Sequence, residues 1–199
     1  MSDLCQLAMK YRSDKCPQIY HSYTPVYHEI LNPLRDTVRS FLEIGIGNIP
    51  LMKAFAGDSY SPGASLRMWR DYFPSAYIYG CDIDSSVLFE EERISTFVVD
   101  QSDIASLKTV KGEYDIILDD GSHDPRHQQI SLIALWPLLV EGGLYIIEDV
   151  CILPNEIPNN AVVIYITIVE AVVMMINLLC IRKFQIRTGI ACMVSLADW

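Results

Sequence analysis

From Phe41 onward, short apolar runs alternate with longer amphipathic stretches. The runs are FLEIGIG (41–47), YIYGCDID (77–84), STFVVD (95–100), YDIILDDG (114–121) and GLYIIEDV (143–150). They are rich in β-branched and aromatic residues, end at Gly or Asp, and mostly lack polar alternation, which predicts strands buried on both faces of a parallel sheet. Between them the spacing predicts helices over 65–72, 85–92, 102–108 and 127–139. In the last, Ile130, Ile133, Ala134 and Leu138 recur at helical intervals and Gly142-Gly143 is the expected stop. Strand and helix in repeated alternation predict an α/β fold, a doubly wound and mostly parallel sheet with helices on both faces. In such sheets ligands bind beyond the carboxyl ends of the strands. Here those ends carry Gly45 and Gly47, Asp82 and Asp84, Asp100, Asp119 and Asp120, and Glu148 and Asp149.

Composition narrows the picture. A chain of 199 residues, 51% hydrophobic and 20% charged, is long enough for one core without disulfide or metal staples. The formal net charge of −10 argues against a nucleic-acid backbone as partner. None of the six cysteines is spaced as CxxC, and the first fifteen residues have no apolar signal-peptide core, so a reduced cytoplasmic protein is expected. Residues 1–40 read as a helical segment in which Tyr11, Tyr20, Tyr23 and Tyr27 either cap the sheet or form a lid over the ligand.

At the first strand end, Glu43 precedes Gly45 and Gly47. Glycines permit a tight turn and a close backbone approach to a ligand, and the preceding acid suits a cationic one. A dinucleotide fingerprint would need a third glycine, but Asn48, Ile49 and Pro50 follow. This demotes a nicotinamide cofactor and favours S-adenosylmethionine. Asp82 is placed to accept both ribose hydroxyls, with Asp84 as the competing choice, and Asp100-Gln101 to receive an adenine amino group; Asp119 is grouped with these cofactor residues. The alternative for each singly is a helix N-cap. The densest cluster is Asp119-Asp120-Gly121-Ser122-His123 with Glu148-Asp149. Packed carboxylates repel unless a cation sits among them, and an all-oxygen set of Asp120, Glu148 and Asp149 suits Mg²⁺. His123 is the expected general base, with His127 its competitor.

Several pieces carry a family resemblance: Lys10-Tyr11 with Ser13-Asp14-Lys15, HSYTPVY (21–27), FLEIGIG, ASLRMW (64–69), DQSD (100–103), DDGSH (119–123) and residues 142–149. Through them the chain resembles class I methyltransferases related to the metal-dependent macrolide sugar O-methyltransferases of the mycinamicin 2''-O-methyltransferase type. That resemblance implies a Rossmann-like core over 41–150, magnesium ligands Asp120, Glu148 and Asp149, and His123 as base. It also adds Ser65 to Glu43, Gly45, Gly47, Asp82 and Asp100 around the cofactor. Methyl transfer to a hydroxyl of a sugar or other small polyol would follow. The rivals are a cofactor-binding module without turnover and, less favoured, a nicotinamide-dependent sugar-modifying enzyme.

The resemblance stops after Val150. Residues 151–199 form an atypical hydrophobic segment in which AVVIYITIVEAVVMMINLLCI (161–181) precedes Arg182 and Lys183. The run is long enough to span a bilayer. A central Glu170 would cost about 2.5–3.5 kcal/mol there, so a buried strand plus a buried helix completing the sheet is the preferred expectation. A homo-oligomer is left open.

Overall fold

The computed structural model describes residues 1–169 and 175–183. The chain opens with α1 (Asp3–Tyr11) and α2 (Tyr23–Leu31), as expected for a helical leader to the sheet. It then alternates β1 (Ser40–Ile44), α3 (Ile49–Ala56), α4 (Ala64–Tyr72), β2 (Tyr77–Asp82), β3 (Glu90–Glu91), β4 (Ile94–Val98), α5 (Ile104–Leu107), β5 (Tyr114–Asp119), α6 (Pro125–Leu135) and β6 (Leu139–Ile147). The last strands described are β7 (Ala161–Val169) and β8 (Met175–Lys183).

The eight strands among the described residues form one sheet in the order β3-β4-β2-β1-β5-β6-β8-β7. The pairs β4–β2, β2–β1, β1–β5 and β5–β6 are parallel, and β3, β8 and β7 add antiparallel pairs at the two sides. Order reverses at β1, so the crevice beyond its carboxyl end is the switch point. The missing polar alternation has a direct cause. Phe41, Ile78, Ile116 and Ile146 face a core with Leu4, Tyr27 and Trp69 of α1, α2 and α4. Their neighbours Leu42, Ile117 and Ile147 face a second core with Leu107 of α5 and Leu132 and Leu135 of α6. Successive side chains alternate between two apolar layers, so both phases of the strand must be apolar.

Several expectations are corrected. The helix over 85–92 is instead a 3-10 turn, Ser85–Val87, followed by β3. The Asp84 carboxylate accepts from the Ser86 N–H at 2.9 Å and closes the turn, and Arg93 at φ 58° reverses the chain into β4. The helix over 127–139 begins earlier, at Pro125 behind the Asp124 cap, and stops at Leu135. Pro137 then occupies a 3-10 turn (Trp136–Leu138), where it has no N–H to continue the helix. Gly142 and Gly143 therefore do not stop a helix but lie inside β6, beside a register shift against β5. The helix over 102–108 contracts to α5, and α3 had no counterpart in the pattern. The run 161–181 forms β7 and β8, not a strand plus helix, and residues 170–174 lie outside the described residues. Among the described residues no helix is long and apolar enough to cross a membrane.

The N-terminal helix is tied to the sheet layer through Asp71 of α4. Its carboxylate accepts from Lys10 Nζ at 2.8 Å and the Tyr11 hydroxyl at 2.5 Å, and Arg70 Nε lies 3.0 Å from its other oxygen. Burial pushes the Asp71 carboxyl up, but these donors outweigh it and hold it down at about 2, against an ordinary 3.8. A depressed folded value means that this stabilisation is complete above pH 4 and is lost as pH falls toward 2. Asp71→Asn should cost about 1–2 kcal/mol at pH 7 and flatten the stability change between pH 4 and 2, measured by urea denaturation across that range.

Candidate active site

A cleft of about 670 Å³ opens at the carboxyl ends of β1, β2, β4, β5 and β6, where the switch point lies. The chain leaves β1 through Gly45, at φ 94°. A Cβ there would sit 2.1 Å from the Asp120 carbonyl oxygen, so the turn and the β5 tip can only meet through a glycine. Asp82 Oδ2 accepts from the Ile46 N–H at 2.8 Å, and the Tyr60 hydroxyl donates to the Ile46 carbonyl at 3.1 Å, which fixes the turn. Gly45, Gly47, Ser65, Asp82, Asp100 and Gln101 all line the cleft. Asp84 does not: its carboxylate accepts from the Ser86 N–H and hydroxyl, so of these two acids Asp82 is the one at the cleft.

Two residues assigned to the cofactor lie beneath the floor instead. Asp119 is fully buried, accepting from Gln101 Nε2 at 2.6 Å and from the Ser131 hydroxyl. Gln101 in turn accepts from the Ser122 N–H at 2.9 Å, so both ends of its amide brace the 119–123 loop; its edge borders the cleft, but its polar atoms already have partners. Glu43 is also fully buried and accepts from the Ser65 hydroxyl at 2.9 Å, leaving Ser65 as the member of that pair that borders the cleft. Burial drives the Glu43 carboxyl up to about 8 against the opposing pull of Lys15.

In the same cleft Asp120, His123 and Asp149 converge, with one donor atom from each inside 4.8 Å. His123 Nε2 is 3.7 Å from Asp149 Oδ2 and 4.0 Å from Asp120 Oδ1. His123 at φ 58° and Asp149 at φ 51° are both left-handed, a conformation costly for such residues and concentrated at functional sites. His127 is held by the Ser122 hydroxyl at 2.8 Å and makes no approach to these carboxylates.

Glu148 is placed differently from its two predicted partners. Both its oxygens lie 2.9 Å from Lys15 Nζ, and the Tyr27 hydroxyl donates to Oε1 at 2.6 Å. Lys15 Nζ is also 2.5 Å from Asp120 Oδ2 and 3.7 Å from Glu43 Oε1, with a side chain only 1% exposed. Tyr23, one helical turn before Tyr27, donates to Asp149 Oδ1 at 2.8 Å. Tyr23 and Tyr27 had been expected only as a cap or a lid, and neither Lys15 nor Tyr60 had been given a role, although packed carboxylates had already demanded a cation. Burial opposes the Lys15 charge, but Asp120, Glu148 and Glu43 outweigh it and hold the ammonium well above its ordinary value. Burial and the Asp120 charge push Glu148 well up, whereas Asp120, also pushed up by burial, is pulled below the ordinary range by Lys15 and His123.

One buried ammonium therefore faces three carboxylates, and burial is the main cause of the upward displacement of Glu43 and Glu148. Asp120 and Asp149 still reach the cleft, with side chains 22% and 25% exposed. Two open carboxylates fit a hard divalent cation, with the His123 imidazole beside them.

Comparison with known proteins places the chain. No family model matches it. It is 40% identical over 149 residues, 73% of the chain, to the 8-demethyl-8-alpha-L-rhamnosyl tetracenomycin-C 2'-O-methyltransferase of Streptomyces olivaceus. It is 37% identical over 150 residues, 74% of the chain, to the mycinamicin VI 2''-O-methyltransferase of Micromonospora griseorubida. The matches cover 37% and 36% of those proteins, so the chain spans just over a third of their length. Among solved structures, the methyltransferase MycE in complex with Mg, SAH and mycinamycin VI superposes with a TM-score of 0.71 at 29% identity, over 96% of this chain and 57% of that one.

Gly45→Ala places a methyl group against backbone rather than a movable side chain. It should destabilise the fold by about 2–4 kcal/mol in chemical denaturation, whereas Gly142→Ala, with nothing within 4 Å of the added carbon, should cost less.

Proposed function

The chain belongs to the O-methyltransferase family that includes the tetracenomycin and mycinamicin sugar methylating enzymes, and from this we propose that it transfers a methyl group from S-adenosylmethionine to a hydroxyl of a glycosidic small molecule with Mg²⁺ assistance. The observation that carries the proposal is that one cleft brings two sets of residues side by side. Gly45, Gly47, Ser65, Asp82 and Asp100 line it, and Asp120, His123 and Asp149 converge in the same cleft.

In this reading the glycine turn lets the donor lie against the backbone, and Asp82 and Asp100 accept from its ribose and adenine. The acidic floor suits a donor that carries sulfonium and ammonium charges. Asp120 and Asp149 would hold the metal. Glu148, the third predicted ligand, would join them when its pairing with Lys15 and Tyr27 loosens. When bound, Mg²⁺ supplies Lewis acidity that makes an acceptor hydroxyl easier to deprotonate. His123, reaching the same point from the loop, takes the hydroxyl proton through Nε2. Holding donor and acceptor in line supplies most of the remaining acceleration.

Methyl transfer from labelled S-adenosylmethionine to a panel of rhamnosides and macrolide glycosides, with and without EDTA, tests the proposal. His123→Ala should lower turnover by about 10²–10⁴ and leave donor binding within a few-fold. Asp149→Asn should abolish the response to Mg²⁺. Tight donor binding with no turnover on any glycoside, or turnover indifferent to EDTA, would contradict it.

A further inference from the structure

The Lys15 ammonium is buried inside the acidic cluster. It contacts Asp120 at 2.5 Å and both oxygens of Glu148 at 2.9 Å, and its side chain is almost completely enclosed. Nothing in this geometry is incidental to the local chain. The Lys15 carbonyl accepts from the Thr24 N–H at 2.9 Å, and the Asp14 carbonyl accepts from the His21 N–H at 2.6 Å, so the segment before α2 is bound down on both sides of the lysine. Tyr27 and Tyr23 of α2 then hold Glu148 and Asp149 from the same direction. The N-terminal segment thus supplies a cation and two hydroxyls to carboxylates contributed by β1, β5 and β6.

We propose that Lys15 is a resident counter-cation that holds the metal-ligand carboxylates together when no metal is bound and competes with the divalent ion for Asp120 and Glu148. The inference rests on the metal-assisted reading above. Two consequences separate it from a merely structural salt bridge. First, the ligand set is assembled before metal arrives, since Asp120 and Glu148 are already drawn to one point. Second, a divalent ion using those oxygens must approach or displace a like charge only one atom away, so Lys15 weakens metal binding while it stabilises the metal-free protein. A structural role alone predicts the opposite sign: loss of Lys15 would disorder the ligands and lower metal affinity. Lys15 touches neither reacting atom and is a positioning residue.

The test measures Mn²⁺ binding by calorimetry for the full chain and for Lys15→Met and Lys15→Arg, alongside melting temperatures with and without Mg²⁺. Lys15→Met should bind Mn²⁺ about tenfold more tightly or better, melt lower without metal, and recover more of its melting temperature with Mg²⁺ than the parent does. Lys15→Arg should keep affinity near the parent value. Equal or weaker Mn²⁺ binding by a folded Lys15→Met would overturn the proposal while leaving the metal reading intact. Absence of Mn²⁺ binding in the parent would overturn both. Should Lys15→Met fail to fold, the unaltered protein decides: the slowly exchanging Lys15 ammonium signal in ¹⁵N NMR should shift on saturation with Mg²⁺, and an unchanged signal would overturn the proposal.

Discussion

The structure around the cleft depends on one buried ammonium among carboxylates. Three acids from three different strands, Glu43, Asp120 and Glu148, end at a single place where water is scarce, and Lys15 is the cation that lets them do so. Isolated buried carboxylates would be strongly penalised, and breaking one partner out of a buried pair typically costs about 3–5 kcal/mol. The lysine does not come from the sheet at all. It arrives from the segment between α1 and α2, so the N-terminal helices are built into the site as well as capping one face of the sheet. The anchoring of α1 to α4 through Asp71 and of α2 to the strand tips through Tyr23 and Tyr27 is what delivers Lys15 to its place.

This arrangement explains the different fates of chemically similar residues. Asp119 and Asp120 are adjacent, yet the strand period sends one into the floor, where Gln101 and Ser131 satisfy it, and the other toward Lys15 and the cleft. Glu148 and Asp149 divide in the same way: the first is enclosed by Lys15 and Tyr27, and the second, left-handed in backbone, turns toward His123. Each adjacent pair therefore yields one inner acid that organises and one outer acid that stays available. The same division separates Glu43 from Ser65.

The strand ends were legible in the sequence because each strand is apolar in both phases and closes on Gly or an acid, a pattern few other arrangements produce. Asp82, Asp100, Asp120, His123 and Asp149 reached the cleft as a consequence. Depth was not legible: periodicity says that Glu43 and Asp119 lie at strand tips but not that a layer of Ser65, Gln101 and Ser131 would cover them. Helix ends misled where local chemistry overrode spacing, as with Asp84 closing a 3-10 turn and Pro137 cutting α6 short. Lys15 was invisible for a different reason. Its partners are 28, 105 and 133 residues away, and only the folded chain brings them together. The hydrophobic run after residue 160 was ambiguous between helix and strand because its β-branched content and its length argued in opposite directions.

A crystal of the protein grown with Mn²⁺ and S-adenosylhomocysteine, with data collected at the manganese absorption edge, tests the assignment of the cleft residues most directly. The account predicts a single anomalous peak within bonding distance of the Asp120 and Asp149 carboxylates, with the adenosyl group beside Asp82 and Asp100 and Lys15 still buried against the inner acids. A peak at another cluster, or an adenosyl group lying over Asp149 and His123, would contradict it.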